Sequence, residues 1–212
     1  MQLTYNPAVF DVTSIPAAMA IILTPEDSTT EKRWKTETPY VADLIGRNLD
    51  IRPDSLLLDY GCGIGRMARE LIGRYGCRVV GVDISPSMRA LAPAYVASDR
   101  FFTCAPSMLD DLIERGVTFD HAVSIWVLQH CQSPEEDMAR IRRALRPDGS
   151  FFVLNNIYRA VPTRDRGWVN DGIDLRAELG REFRLMAEGT PAAENTGPRV
   201  AGGSFWALFR RP

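Results

Sequence analysis

A buried-strand pattern that runs straight into three closely spaced glycines is the feature that most limits how this chain can fold. Residues 55–60 read SLLLDY, a short apolar run, and Gly61, Gly63 and Gly65 follow at once. Behind them Ile64, Met67, Ala68, Leu71 and Ile72 recur at i, i+3, i+4, i+7 and i+8, which is one face of a helix. An apolar run without polar alternation suits a strand covered on both faces. In open α/β sheets ligands bind at the carboxyl ends of strands, and glycines there let the backbone turn tightly and approach a ligand closely. Such a turn also serves plain packing, so its neighbours must decide.

The same alternation continues along the chain. Residues 78–83 (RVVGVD), 100–104 (RFFTC), 119–125 (FDHAVSI) and 150–154 (SFFVL) read as strands, with helices over 87–94 and 107–115. Another helix starts with Ser133 as N-cap, Pro134 first, and Glu135, Glu136 and Asp137 in its first turn. Arg146-Pro147-Asp148-Gly149 closes it with a turn. A helix over 30–49 is expected to bend at Pro39. Residues 156–170 read as a loop, 171–179 as a helix, and 182–187 with 204–210 as a closing hairpin. The expected fold is α/β, a Rossmann-like doubly wound sheet. It is mostly parallel, of about seven strands, with an antiparallel C-terminal strand and helices on both faces. The 212 residues suffice for one such domain, over 30–212, behind an irregular N-terminal arm over 1–29.

Composition excludes some classes. The net charge of −2 gives no bulk attraction to nucleic acid, so no DNA partner is expected. Residues 15–23 are apolar, but no Lys or Arg precedes them, so they do not read as a signal peptide, and no run reaches membrane-spanning length. Cys62, Cys77, Cys104 and Cys131 are dispersed, which suits reduced thiols in a cytoplasmic protein and no metal.

The neighbours of the glycines point to a nucleoside. The next strand ends at Asp83, placed to accept bonds from two ribose hydroxyls. A dinucleotide fingerprint wants a third glycine where Arg66 stands, and no phosphate-loop GxxxxGK[ST] exists. Asp59, just before the glycines, would oppose a pyrophosphate and favour a cationic ligand.

The segment LLLDYGCGIGRMA resembles the first motif of class I S-adenosylmethionine-dependent methyltransferases, D/E-x-G-x-G-x-G. GVDISPSM, FDHAVSIWVLQHC and LRPDGSFFVL resemble the family's later motifs, in its order, across about residues 56–154. The resemblance implies S-adenosylmethionine as cofactor. It implies that Asp59, Gly61, Gly63, Gly65 and Arg66 border its methionine part, Asp83 its ribose and Ile84 its adenine. Trp126 and Gln129, within the segment 126–130, would lie under the methionine part. The family's usual acid after the third strand is missing, and Ser107 and Met108 stand near its place.

Methyl transfer mainly requires orientation and desolvation, and a base only if the acceptor must lose a proton. His121 lies within a strand and reads as a core residue. His130, just after that strand, is the candidate base, against the plainer reading of loop packing. Trp34, Tyr40 and the arm are candidates to cover the pocket. Tyr158, Arg159, Arg164 and Trp168 read as surface rather than ligand-binding, and Arg140, Arg142, Arg143 and Arg146 as a solvated helix face. No [DNS]PP[YFW] motif follows the fourth strand, which disfavours nucleic-acid amino methylation. The resemblance then implies methyl transfer to a small-molecule acceptor by a monomer or homodimer. A non-catalytic cofactor-binding module and a macromolecular (RNA or protein) methyltransferase stand as alternatives.

Overall fold

The computed structural model describes residues 4–21 and 29–212. Nine strands are described: β1 (Leu56–Tyr60), β2 (Arg78–Val82), β3 (Phe101–Cys104), β4 (Phe119–Ile125), β5 (Leu145–Asn156), β6 (Val161–Thr163), β7 (Gly167–Val169), β8 (Arg184–Gly189) and β9 (Ser204–Arg210). Seven of them form one sheet in the order β3-β2-β1-β4-β5-β9-β8. β1 pairs in parallel with β2 and with β4, and β9 runs antiparallel to both β5 and β8. This is the Rossmann-like doubly wound sheet that the alternation of strands and helices implies, closed by an antiparallel C-terminal strand.

Helices cover both faces. They are α1 (Ile15–Ala20), α2 (Thr30–Lys32), α3 (Thr38–Asn48), α4 (Arg66–Tyr75), α5 (Pro86–Val96), α6 (Pro106–Glu114), α7 (Pro134–Ala144), α8 (Leu175–Glu182), α9 (Ala193–Thr196) and α10 (Pro198–Gly202). Successive strand residues point to opposite faces, so adjacent apolar residues feed two separate cores. Leu58 and Phe151 pack with Met138, Ile141 and Leu179 on one face. Leu57 and Phe152 pack with Val41, Ile45 and Leu71 on the other. That is why these strands read as continuous apolar runs. Among the described residues no helix is long and apolar enough to cross a membrane.

Several local expectations are corrected. The helix over 30–49 is interrupted by a π-helical turn, Arg33–Glu37, directly before Pro39 enters the first turn of α3. A proline without an N–H cannot continue the preceding ladder, and the widened turn absorbs the lost bond. Residues 156–170 are not all loop: β6 and β7 form a small hairpin. Its free edge is covered by the arm, through a bridge between Tyr5 and Thr163 and a bond from the Asn6 N–H to the Pro162 carbonyl at 2.9 Å. The arm is therefore ordered where it is described, with a 3-10 turn (Pro7–Phe10) and α1; residues 1–3 and 22–28 of it lie outside the described residues. Ser133 sits at the N-cap position of α7 without a side-chain cap bond. The helix placed at 171–179 starts later, at Leu175, where the Asp174 side chain accepts from two backbone N–H groups. The turn 146–149 is absorbed into β5 as a register shift against β4.

Phe152 is fully buried and its ring stacks on Trp206 at 6.1 Å. Phe152→Ala should lower unfolding stability by about 3–5 kcal/mol, read as a lower urea midpoint at unchanged slope.

Candidate active site

The strand ends β1, β2 and β4 finish side by side, and the glycine loop leaves from the middle one. The Gly61 and Cys62 N–H groups donate to the Val82 carbonyl at 2.7 and 3.0 Å, tying the loop to the end of β2. Gly61 has φ +78°, and a Cβ there would lie 2.3 Å from Val127. Gly63 has φ +54°, and a Cβ there would meet nothing within 4 Å. The first glycine is required by packing and conformation; the second faces open space over the cavity.

Two carboxylates flank this loop. Asp83 accepts from the Gly63 N–H at 2.7 Å and from the Ser85 N–H at 2.9 Å. Each carboxylate oxygen keeps a further lone pair. Burial pushes the Asp83 carboxyl above its ordinary value, and those two N–H groups pull against it. Asp59 is buried, and its Oδ2 has no hydrogen-bond partner among the described residues. Burial pushes its carboxyl up to about 7, against the Ala68 backbone bond.

A third acid completes one end of the site. Glu37 is fully buried and receives Nε and NH2 of Arg33 at 2.7 and 3.0 Å, with Arg66 at 3.5 Å. Trp126 Nε1–H also donates to it, at 2.9 Å. Burial pushes Glu37 up, but Arg66, Arg33 and the indole together hold it below the usual carboxylate range. The guanidinium groups lie 5.5 Å over rings, Arg33 over Trp126 and Arg66 over Trp34. Trp126 itself has φ +63°, a strained conformation for a bulky residue, at the carboxyl end of β4.

At the other end stands His130. Its Nδ1 lies 2.7 Å from the Ala160 carbonyl oxygen, which can only accept, so the proton is on Nδ1. Nε2 then carries the lone pair and accepts from Gln129 Nε2 at 3.2 Å. Gln129 is oriented by its Oε1, which accepts the Asn156 N–H at 3.3 Å. Burial holds the imidazole below its ordinary pKa, that is, neutral.

Asp59, Asp83, Arg33, Arg66, Trp126, Gln129 and His130 line one cavity of about 670 Å³, within the range of small-molecule sites, and Glu37 lies behind its wall. Comparison with known proteins agrees with the sheet topology and the loop. Residues 58–153 match the family described as a methyltransferase domain. A phosphoethanolamine N-methyltransferase of Caenorhabditis elegans is 31% identical over 112 residues, covering 52% of this chain and 26% of the relative. A tRNA U34 carboxymethyltransferase of Cellvibrio japonicus is 30% identical over 128 residues, covering 57% of this chain and 36% of the relative. The chain thus spans about a quarter to a third of the length of these curated relatives. A geranyl diphosphate methyltransferase solved in complex with SAM has the same fold, with a TM-score of 0.65 at 15% identity, covering 100% of this chain and 98% of that one. Over residues 58–153, a little under half of its length, the chain is thus similar to the methyltransferase domain family.

Of the residues that the family motifs single out, Asp59, Gly61, Gly63, Arg66, Asp83, Ile84, Trp126, Gln129 and His130 line the cavity. Gly65 stands behind the wall, where a Cβ would lie 2.4 Å from Val96. Ser107 and Met108 are exposed on the first turn of α6 and are not part of the wall, because the helix carries the chain away once Pro106 has touched it. Tyr40 does not cover the cavity: its hydroxyl accepts from the Ala192 N–H at 2.8 Å, outside it. Trp34 does line the cavity, and so does Trp168, which the sequence places at the surface. Arg159 is a further correction, buried and paired with Asp171 at 2.9 Å, with a bond to the Leu128 carbonyl. The α7 arginines are paired, not merely solvated: Arg140 and Arg143 with Asp110, Arg142 with Glu182. His121 is buried in β4, as expected.

Tyr5 and Phe10 bring the arm to the cavity, as expected of the arm although the sequence singles out neither residue, whereas sequence reasoning missed Glu37. Glu37 meets Trp126 across 89 positions, which no local pattern reports. Glu37→Ala leaves two buried guanidinium groups without their shared counter-charge. A loss of about 3–5 kcal/mol in unfolding stability is expected by urea titration.

Proposed function

We propose that the chain binds S-adenosylmethionine in this cavity and transfers its methyl group to a small-molecule acceptor. The observation that carries the reading is the buried, unpartnered Oδ2 of Asp59 beside the open side of Gly63 and the backbone-anchored Asp83. A nucleoside with a cationic tail supplies what this arrangement lacks: hydroxyl donors for Asp83 and positive charge for Asp59. The residues therefore fit the cofactor of the family. Asp83 would hold the ribose, Gly61, Gly63 and Asp59 the methionine part, and Ile84 the adenine.

When bound, S-adenosylmethionine supplies a methyl carbon on a positively charged sulfur. The chain's own task is to orient, to exclude water and to take a proton where the acceptor carries one. His130 suits that last role. It is neutral, its tautomer is fixed by Ala160, and its one lone pair is held by a side-chain amide that an acceptor O–H or N–H can replace. The curated relatives' names include both a small-molecule and a tRNA enzyme. A cavity of this size and a net charge of −2 favour the small acceptor here.

Calorimetric titration with S-adenosylhomocysteine, with NAD as control, tests the cofactor; binding of NAD alone would refute it. Asp83→Ala should weaken the former by about 1–3 kcal/mol. Asp59 gives a pH signature. Its raised pKa means that the free fold favours the protonated acid, so this group's contribution to stability is lost as pH rises through about 7. A cationic cofactor favours the ionised acid, so affinity for S-adenosylmethionine should rise between about pH 6 and pH 8, with proton release at the lower end. Asp59→Asn should flatten that dependence; an unchanged slope would assign it elsewhere.

A further inference from the structure

We propose that the acceptor is a neutral aromatic molecule carrying a hydroxyl, bound against the open surface of Trp168 in the aromatic cluster that Trp168 forms with Phe10 and His130. This rests on the methyltransferase reading above and names the substrate class of the same site. The three rings come from three separate segments: the arm, the turn after β4, and strand β7. Their centroids are 5.8 Å (Phe10 and His130), 5.1 Å (His130 and Trp168) and 6.2 Å (Phe10 and Trp168) apart, with interplanar angles of 55–58°. Those are spacings of rings packed on one another. They build a continuous aromatic wall, and leave no room between them for the cage of faces that captures an ammonium ion. Trp168 stays 43% exposed at that wall. A large aromatic surface left open beside a cavity gains most from a flat apolar body laid against it.

Charge points the same way. Arg33 and Arg66 on the cavity wall share Glu37, and Arg199 has interactions of its own. An anionic acceptor would have to break an existing pair. With Asp59 and Asp83 taken by the cofactor, and Asp137 held by the Tyr60 hydroxyl and by Arg140 at 3.0 Å, the acid left for an ammonium is Glu136, exposed at the rim where solvent screens its charge. The polar group nearest the wall is His130, whose Nε2 lone pair accepts a single hydrogen, now from Gln129.

A hydroxyl in place of the Gln129 amide satisfies that lone pair. In the transfer the hydroxyl oxygen gives an electron pair to the methyl carbon, and the pair of the broken carbon–sulfur bond stays on sulfur. The proton leaves the oxygen for Nε2 and passes on to water. The oxygen is positively charged as the new bond forms, so an imidazole held below its ordinary pKa is basic enough.

The test titrates the protein saturated with S-adenosylhomocysteine with 2-naphthol, ethanolamine and phosphoethanolamine, and then measures methyl transfer from S-adenosylmethionine to each. Binding and O-methylation of 2-naphthol are expected. Trp168→Ala should raise its Kd about tenfold with S-adenosylhomocysteine affinity unchanged, and Trp168→Phe should restore most of it. His130→Asn should lower kcat and remove the acidic limb of its pH profile. Absence of naphthol binding, preferred binding or methylation of either amine, or indifference to Trp168→Ala overturns the inference while leaving the cofactor reading intact. Failure to bind S-adenosylhomocysteine at all strikes the cofactor reading instead.

Discussion

Strand β1 pairs in parallel with β2 on one side and β4 on the other, Asp59 lying level with Gly81 and with Val123. Parallel pairing forces every connection to cross back over a face of the sheet, so the carboxyl ends of the strands are free to end together. Once they do, three loops must share one small volume. The glycine loop yields by taking positive φ, and Trp126 yields by strain. Its position is kept by bonds on both sides, the Trp126 N–H to the Leu154 carbonyl at 2.7 Å and its indole to Glu37. The strain is thus a consequence of the register, held in place by the two elements that flank it.

The Glu37 cluster is the counterpart of that register on the helical side. It joins the π-helical turn before α3, the first residue of α4 and the residue after β4, three segments distant in sequence. Two cations and one anion buried together are costly to desolvate, and hydrophobic residues of similar volume often stabilise as well. What the ions add is direction. Arg33 must reach Glu37 across one helical turn while lying over the Trp126 ring, and Arg66 must do so over Trp34. Apolar replacements would pack without fixing those angles. The arrangement sets that wall of the cavity before any ligand enters.

The strands were legible because each is buried on both faces, and Leu57-Leu58 and Phe151-Phe152 have no polar alternation to confuse the reading. The glycine loop and Asp83 were legible because close backbone approach and a strand-end carboxylate are local demands. The β6–β7 hairpin was not, since its strands are three residues each and are paired partly by Tyr5, far away in sequence. Arg159 looked like a surface residue for the same reason: its partners, Leu128, Gln132 and Asp171, are gathered only by the fold. Ser107 stood near the place of a missing family acid, but the helix begins at Pro106 and carries it outward. For the hairpin and for Arg159 the missing information is a contact between segments apart in sequence, which periodicity and spacing do not encode; for Ser107 it is the direction in which the helix leaves the sheet.

Burial acts on Asp59, Asp83 and His130 in one direction, toward the neutral form. It lifts Asp59 and Asp83 and lowers His130. For the acids this is a reversible state: a cation placed beside them restores the carboxylate form and is held by it. For the histidine the same cation has the opposite effect, making the imidazolium still less favourable and keeping the Nε2 lone pair free. A site that receives a positive ligand therefore gains binding charge at one end and a neutral base at the other from a single arrival. A negative ligand would do the reverse, driving the acids further into their protonated form and the imidazole toward its charged one. The response of these three side chains thus favours a positive ligand over a negative one.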